Sequence, residues 1–204
     1  MNLLNGKIEE LELRRKILHI LIGITALILL IYNILTPFVI FIILIIGIII
    51  SLVSIKIKLP VISFFLEKFD RKSSLESNLP GRGIIFAVVG SLLVLQLFPR
   101  DIALASIAIL TFADSTSHLF GKVLGRTPSF LNSKKNIEGH IIGAFLSTAI
   151  AALFVPLSLA FAGSLTAMIF ESIIIEIQKI QLDDNLIIPL VAGTTMFLIS
   201  KFII

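Results

Sequence analysis

Cysteine is absent, which excludes a disulfide framework, Cys-ligated zinc, an iron–sulfur cluster and thiol catalysis. Charge is scarce too. Only 15% of the 204 residues are Asp, Glu, Lys or Arg, against about 25% in an ordinary soluble domain. The opening stretch MNLLNGKIEELELRRK has no short apolar core followed by a small-residue cleavage site, so no cleavable signal peptide is expected. No basic stripe is interleaved with aromatics, and nucleic acid is therefore not an expected partner despite the formal charge of +4. Neither an internal repeat nor a low-complexity tail is visible.

What fills the chain instead is hydrophobic side chain, at 57% of residues and a mean hydropathy of +1.08. No stretch remains to build a water-soluble core, and one membrane-embedded domain spanning residues 1–204 is the size that fits. The expected fold is all-α, a polytopic membrane helix bundle. A bilayer core of about 30 Å needs about 20 residues per helix. Seven segments meet that length when cut at polar clusters and prolines: 17–35, 37–55, 83–99, 101–121, 137–156, 158–178 and 186–203. Residues 1–16 then form a cytoplasmic amphipathic segment, and 59–80 a cytoplasmic stretch lying at the headgroups or serving as a plain connection. With the N-terminus in the cytoplasm and the C-terminus outside, fifteen basic residues fall inside against Arg100 and Lys201 outside. The short outer connections and charged inner ones place function on the cytoplasmic side of a multi-pass cell-membrane protein.

Charged groups at membrane depth are costly and call for a partner or a function. In the fourth span, T111-F-A-D-S-T-S-H118 puts Asp114 and His118 four apart on one helical face. This face suits a metal or substrate ligand at Asp114, or else a buried polar pair that only joins helices. The next connection, Gly121 to Gly143, gathers Lys122, Arg126, Lys134 and Lys135, Ser/Thr-rich turns, and Asn136 at the start of the following helix. Such a loop can surround a polyphosphate at a helix N-terminus. A carboxylate at Glu138 beside those cations suggests a divalent ion shared with a nucleotide. The plainer alternatives are a positive-inside loop and close helix packing at Gly121-xxx-Gly125 and Gly139-xxx-Gly143. Glu171 stands alone in its span, while Asp183-Asp184-Asn185 can serve Mg²⁺ or a ribose, or simply cap a helix. Arg14-Arg15-Lys16 before the first span reads most plainly as a basic membrane anchor, but Arg15 and His19 share a face there, and His19 can hydrogen-bond a substrate or act as a base. Arg82 offers a cationic turn before the third span.

In this order, Arg15-Lys16-xx-His19, Pro80-Gly81-Arg82-Gly83, Ala113-Asp114-Ser115 through Gly121 and Gly125, Lys134/Lys135 to Glu138-Gly139, and Asp183-Asp184-Asn185 with Pro189 resemble one family. It is the CTP-using polyprenol and diacylglycerol kinases, including dolichol kinase, phytol kinase and fungal CTP-dependent diacylglycerol kinase. The set covers most of residues 14–193. Two positions depart from the pattern: Ala113 stands where Gly precedes the aspartate, and Asn136 where Ser follows the lysine. The Lys-x-x-Glu-Gly pattern also resembles CTP:phosphatidate cytidylyltransferases, whose later Gly-His-Gly-Gly and Asp-Arg pattern is absent.

The resemblance implies phosphoryl transfer from CTP as co-substrate to the hydroxyl of a membrane lipid alcohol, of polyprenol, prenyl alcohol or diacylglycerol type. Mg²⁺ or another divalent cation would assist. As catalytic candidates it gives Asp114, His19 and Glu138, with the base left open between Asp114 and His19. Nucleotide candidates are Arg82, Gly121, Gly125, Arg126, Lys134, Lys135, Asn136, Gly139 and Asn185, and metal candidates Asp114, Glu138, Glu171, Asp183 and Asp184. Two other readings compete: cytidylyl transfer to a lipid phosphate, and an ion or solute carrier using the same intramembrane charges. Small-residue faces also allow a homodimer.

Overall fold

A computed structural model describes residues 2–70, 79–129, 132, 135–173, 176–177, 180–181 and 183–202, with side chains omitted for 2–10 and for 176–181. Lys134 lies outside the described residues, as does the part of the headgroup segment from 71 to 78. Among the described residues the chain is helical: α1 (Asn2–Ile31), α2 (Pro37–Lys56), α3 (Pro60–Phe69), α4 (Arg82–Leu97), α5 (Arg100–Leu124), α6 (Ile137–Ala151), α7 (Leu157–Glu171) and α8 (Asp184–Phe202). Between α7 and α8 a short antiparallel ladder pairs β1 (Glu176–Ile177) with β2 (Ile180–Gln181).

Prolines mark the starts as expected, because their missing N–H falls where a helix has no partner for it. Pro37 and Pro60 open α2 and α3, and Pro99 and Pro156 precede α5 and α7. Thr36 caps α2 by accepting from Val39 N at 3.3 Å. The end of α1 is held from across the bundle, where Arg100 Nη2 donates to the carbonyls of Leu30 and Ile31 at 3.0 Å each.

α5 is the central helix, touching α1, α4, α6, α7 and α8. Its run from Ile102 to Ser117 is buried almost throughout and rich in Ala, Ser and Thr. Small side chains let five neighbours approach, and three hydroxyls turn back on their own helix, Ser106, Thr111 and Thr116 donating to carbonyls four residues back at 2.6–2.8 Å, while the buried Ser115 Oγ has no partner among the described residues. α2 does the opposite, exposing Phe38, Phe41, Ile42, Ile45, Ile46 and Ile49 on a face suited to lipid. Two apolar clusters complete the core. One joins α5 to α7 and α8 through Ile109, Leu110, Met168, Ile188 and Met196. The other joins α1, α2, α4 and α5 through Leu27, Leu30, Ile40, Val94 and Ile107.

Among the described residues three helices, α2, α5 and α8, are long and apolar enough to cross a membrane, while α4, α6 and α7 are shorter apolar helices. One expected span is cut short. Residues 158–178 do not form a continuous helix, because α7 ends at Glu171 and the ladder follows. The sequence there turns β-branched, Ile173-Ile174-Ile175, which favours extended backbone over helix. Glu171 therefore ends a helix rather than occupying mid-span.

Candidate active site

α1 and α5 run antiparallel, and their facing charges form a ladder. Lys16, only 3% exposed, places Nζ on Asp114 Oδ2 and 3.3 Å from the Asp114 carbonyl. One turn away on each helix, Glu12 Oε2 meets His118 Nε2 at 2.9 Å and Lys122 Nζ at 3.2 Å. These contacts to His118 and Lys122 outweigh partial burial and hold the Glu12 carboxyl down at about 2, the hydrogen bond from His118 being the strongest cause. The pairing at Asp114 and His118 was legible as one helical face. Their partners were not: the sequence reading missed Glu12, and took Lys16 as a family signature and membrane anchor rather than as a site residue.

Asp114 is also one corner of a carboxylate triad with Glu171 and Asp184, whose oxygens lie within 4.8 Å of one another. The three acids come from the middle of α5, the end of α7 and the start of α8. Lys135 reaches in from the loop before α6, donating to Glu171 Oε1 at 2.7 Å, to the Glu171 carbonyl at 2.8 Å and to Asp184 Oδ2 at 3.3 Å. Burial pulls the Lys135 ammonium pKa down, but the two carboxylates outweigh it and the net shift is upward. Ser117 Oγ lies 3.4 Å from both Glu171 oxygens. His140 Nε2 is 2.9 Å from Ser172 Oγ and 3.7 Å from Glu171 Oε2, and its Nδ1 is 2.8 Å from the Asn136 carbonyl. An all-oxygen donor set of three carboxylates fits a hard divalent cation such as Mg²⁺.

Asp183 and Asn185 form a second polar corner. Asp183 Oδ1 accepts from the backbone N and side-chain Nδ2 of Asn185 at 3.1 and 2.8 Å, closing the first turn of α8. Asn185 Nδ2 also donates to the Gly83 carbonyl at 3.1 Å, and Arg82 Nε sits 3.9 Å from Asp183 Oδ2. The cap and the site are thus the same residues.

Other expected members are elsewhere. Glu138 accepts from Thr127 N at 3.0 and 3.2 Å and does not join the triad, since that bond pins the loop back on α6. Asn136 occupies the N-cap position of α6 but makes no side-chain cap bond; its Nδ2 donates instead to the Gly121 carbonyl at 2.8 Å. Arg126 is exposed. Gly121, Gly125 and Gly139 lie at the α5–α6 crossing, where a Cβ on Gly139 would meet Ser117 O and stand 2.8 Å from Gly121 Cα. A Cβ on Gly125 would run into the Gly121 carbonyl and the Asn136 amide.

Beside the ladder lies a cavity of about 450 Å³, within the range of small-molecule sites. One end is polar, lined by Arg15, Lys16, His19, Asp114, Asp183 and Asn185. Apart from Asp70, Ser91 and Thr111 the rest is apolar, formed by α1, α3, α4 and α5 and reaching Leu30, Ile40 and Ile43. Nε2 of His19, which belongs to this lining, is buried and has no hydrogen-bond partner among the described residues. Asp114 borders both the cavity and the triad.

No family model matches the chain, and no solved structure does. Among curated proteins it is similar to the CTP-dependent diacylglycerol kinase 1 of Schizosaccharomyces pombe, with 31% identity over 130 residues, 57% of this chain and 60% of that protein. The chain thus spans about 60% of the length of the relative it matches. The motifs and this match agree in pointing to similarity with a CTP-dependent lipid kinase.

Proposed function

We propose that the protein transfers the γ-phosphoryl group of CTP to the hydroxyl of a membrane lipid alcohol. The observation that carries this reading is that Asp114 belongs to two things at once: the polar end of an apolar cavity and a carboxylate triad fit for a divalent cation. A lipid tail in the cavity brings its hydroxyl to the residues that would handle phosphate. The alcohol oxygen bonds to the γ-phosphorus as the bond to the bridging oxygen breaks, CDP leaves, and the hydroxyl proton goes to a base. His19 Nε2, buried and without a partner among the described residues, is our choice for that base, because Asp114 is already engaged by Lys16.

Phosphoryl transfer needs chiefly alignment and charge neutralisation. Lys135 and Arg82 flank the acids and would take phosphate oxygens. Asn185 and Asp183, beside Arg82, are placed to meet the nucleotide. Asp114, Glu171 and Asp184 would hold Mg²⁺, which neutralises phosphate charge when bound. The acceptor belongs to the polyprenol, prenyl alcohol or diacylglycerol class. The reading is tested by incubating γ-labelled CTP, γ-labelled ATP and α-labelled CTP with vesicles carrying mixed polyprenols and diacylglycerol, comparing wild type with Asp114→Asn. Label from γ-CTP entering lipid only with wild type is expected. Label from the α position would mean cytidylyl transfer, and no transfer from any donor would return the protein to the carrier reading.

A further inference from the structure

A lipid alcohol dissolved in the bilayer must reach a cavity whose polar end is buried, and the bundle is not sealed equally on all sides. α1 packs on α5 and α3, whereas α2 packs on α4, so the two helices joined by the short turn at 32–36 diverge onto different partners. Along this seam lies a second, shallower apolar groove of about 340 Å³, lined by Leu21, Ile22, Thr25, Ala26, Leu29, Leu35 and Ile43. Four of these, Ile22, Ala26, Leu35 and Ile43, also line the inner cavity. The same side chains are therefore the outer wall of one space and the floor of the other.

The chemistry of the seam suits a hydrocarbon. Leu21, Ile22 and Ile43 are exposed on the side where lipid would lie. Its one polar member, Thr25, spends its hydroxyl on the Leu21 carbonyl at 2.8 Å and offers no unmet donor to a passing chain. Toward the 32–36 turn the seam is closed by Leu27, Leu30 and Ile40, which pack into one buried cluster. Toward the other end the inner cavity meets Lys16, His19 and Asp114. A chain sliding in sideways would thus be stopped at one end and presented by its hydroxyl at the other.

We infer that the α1–α2 seam is the lateral entrance through which the hydrocarbon tail of the acceptor passes from the bilayer into the cavity. This rests on the proposed lipid-alcohol substrate, and the test separates the two. The chain has no cysteine, so an Ile22→Cys/Ile43→Cys pair can be bridged across the seam with a reducible bifunctional thiol reagent. The probe is parinaryl alcohol in phosphatidylcholine vesicles, with its uptake followed by fluorescence and its phosphorylation from γ-labelled CTP followed in parallel. Bridging should slow uptake at least tenfold, with recovery on reduction, while CTP binding stays unchanged. Ala26→Phe, which narrows the shared wall without a cross-link, should slow uptake as well. Unchanged uptake in both forms overturns the entrance, as does a bridge that abolishes CTP binding, because the seam is then structural. Slowed uptake with no label transfer in any form leaves the entrance standing and refutes the kinase reading.

Discussion

Removing Lys16 tests the charge ladder directly. In the Lys16→Met variant Asp114 keeps its charge in a buried position and loses the cation that touches it. Breaking a buried pair from one side costs about 3–5 kcal/mol. Glu171 and Asp184 lie within 4.8 Å, a like-charge crowding that the native protein already carries and that Lys16 helps Lys135 to offset. Asp114→Asn alone strands Lys16 instead. The double variant Lys16→Met/Asp114→Asn strands neither and should be no less stable than the worse single variant, a coupling of at least about 2 kcal/mol. Unfolding by dodecyl sulfate titration in mixed micelles measures all four proteins without reference to catalysis. Additivity within about 0.5 kcal/mol would refute the reasoning.

Acid titration should expose the outer rung. Because the Glu12 carboxyl is lowered from 4.5 to about 2 in the folded protein, its contribution is complete above pH 4.5 and drains away as the pH falls toward 2; Glu12→Gln should flatten that limb in a pH series of melting temperatures. Gly139→Ala drives a methyl into Ser117 O and Gly121, so it should cost about 1–3 kcal/mol through strain at the α5–α6 crossing. The same melting assay reads that loss, and a neutral result would mean the crossing is looser than described. Chelation should abolish label transfer from CTP, with Mg²⁺ or Mn²⁺ restoring it; activity that survives exhaustive chelation would remove the triad from the metal role.

The membrane character, the helical class and the positions of most helix starts were legible, because composition and proline placement decide them locally. The end of α7 was not. Hydropathy continues past Glu171 into an isoleucine run that reads as apolar whether it is helix or strand. At the site, Asp114 and Glu171 were visible as acids out of place in an apolar chain, and Asp184 as a member of an oxygen-rich turn. Their convergence was not visible, since it depends on three helices meeting and on Lys135 reaching across from a loop. Glu138 misled for a related reason: proximity to Lys135 in sequence suggested a shared ion, whereas one turn of helix and the Thr127 amide take it elsewhere. Lys16 followed two arginines and read as an anchor. The available signal was that Glu12 and Lys16 repeat the spacing of Asp114 and His118, acid first and base four residues later, an order that is complementary between antiparallel helices.

That spacing also settles how an isoleucine-rich helix finds its place. A slip of one turn, about 5.4 Å, exchanges one set of leucine and isoleucine neighbours on α1 for another, but it takes Gly23 away from Thr111, against which a side chain would not fit. The charges are less tolerant still. In the observed register Glu12 meets His118 and Lys16 meets Asp114. Slipped by one turn, Lys16 would face His118 and Asp114 would face Ile20, leaving a buried carboxylate with no cation on α1. We read the ladder as what fixes the register, by making the neighbouring packing costly rather than the native one strong. The Lys16→Met/Asp114→Asn protein, freed of both deep charges, should then sample the slipped packing. Cysteines placed on α1 and α5 to cross-link in either register should give only the native product in the wild-type background and both products in the double variant. A single native product in both would assign the register to apolar packing alone.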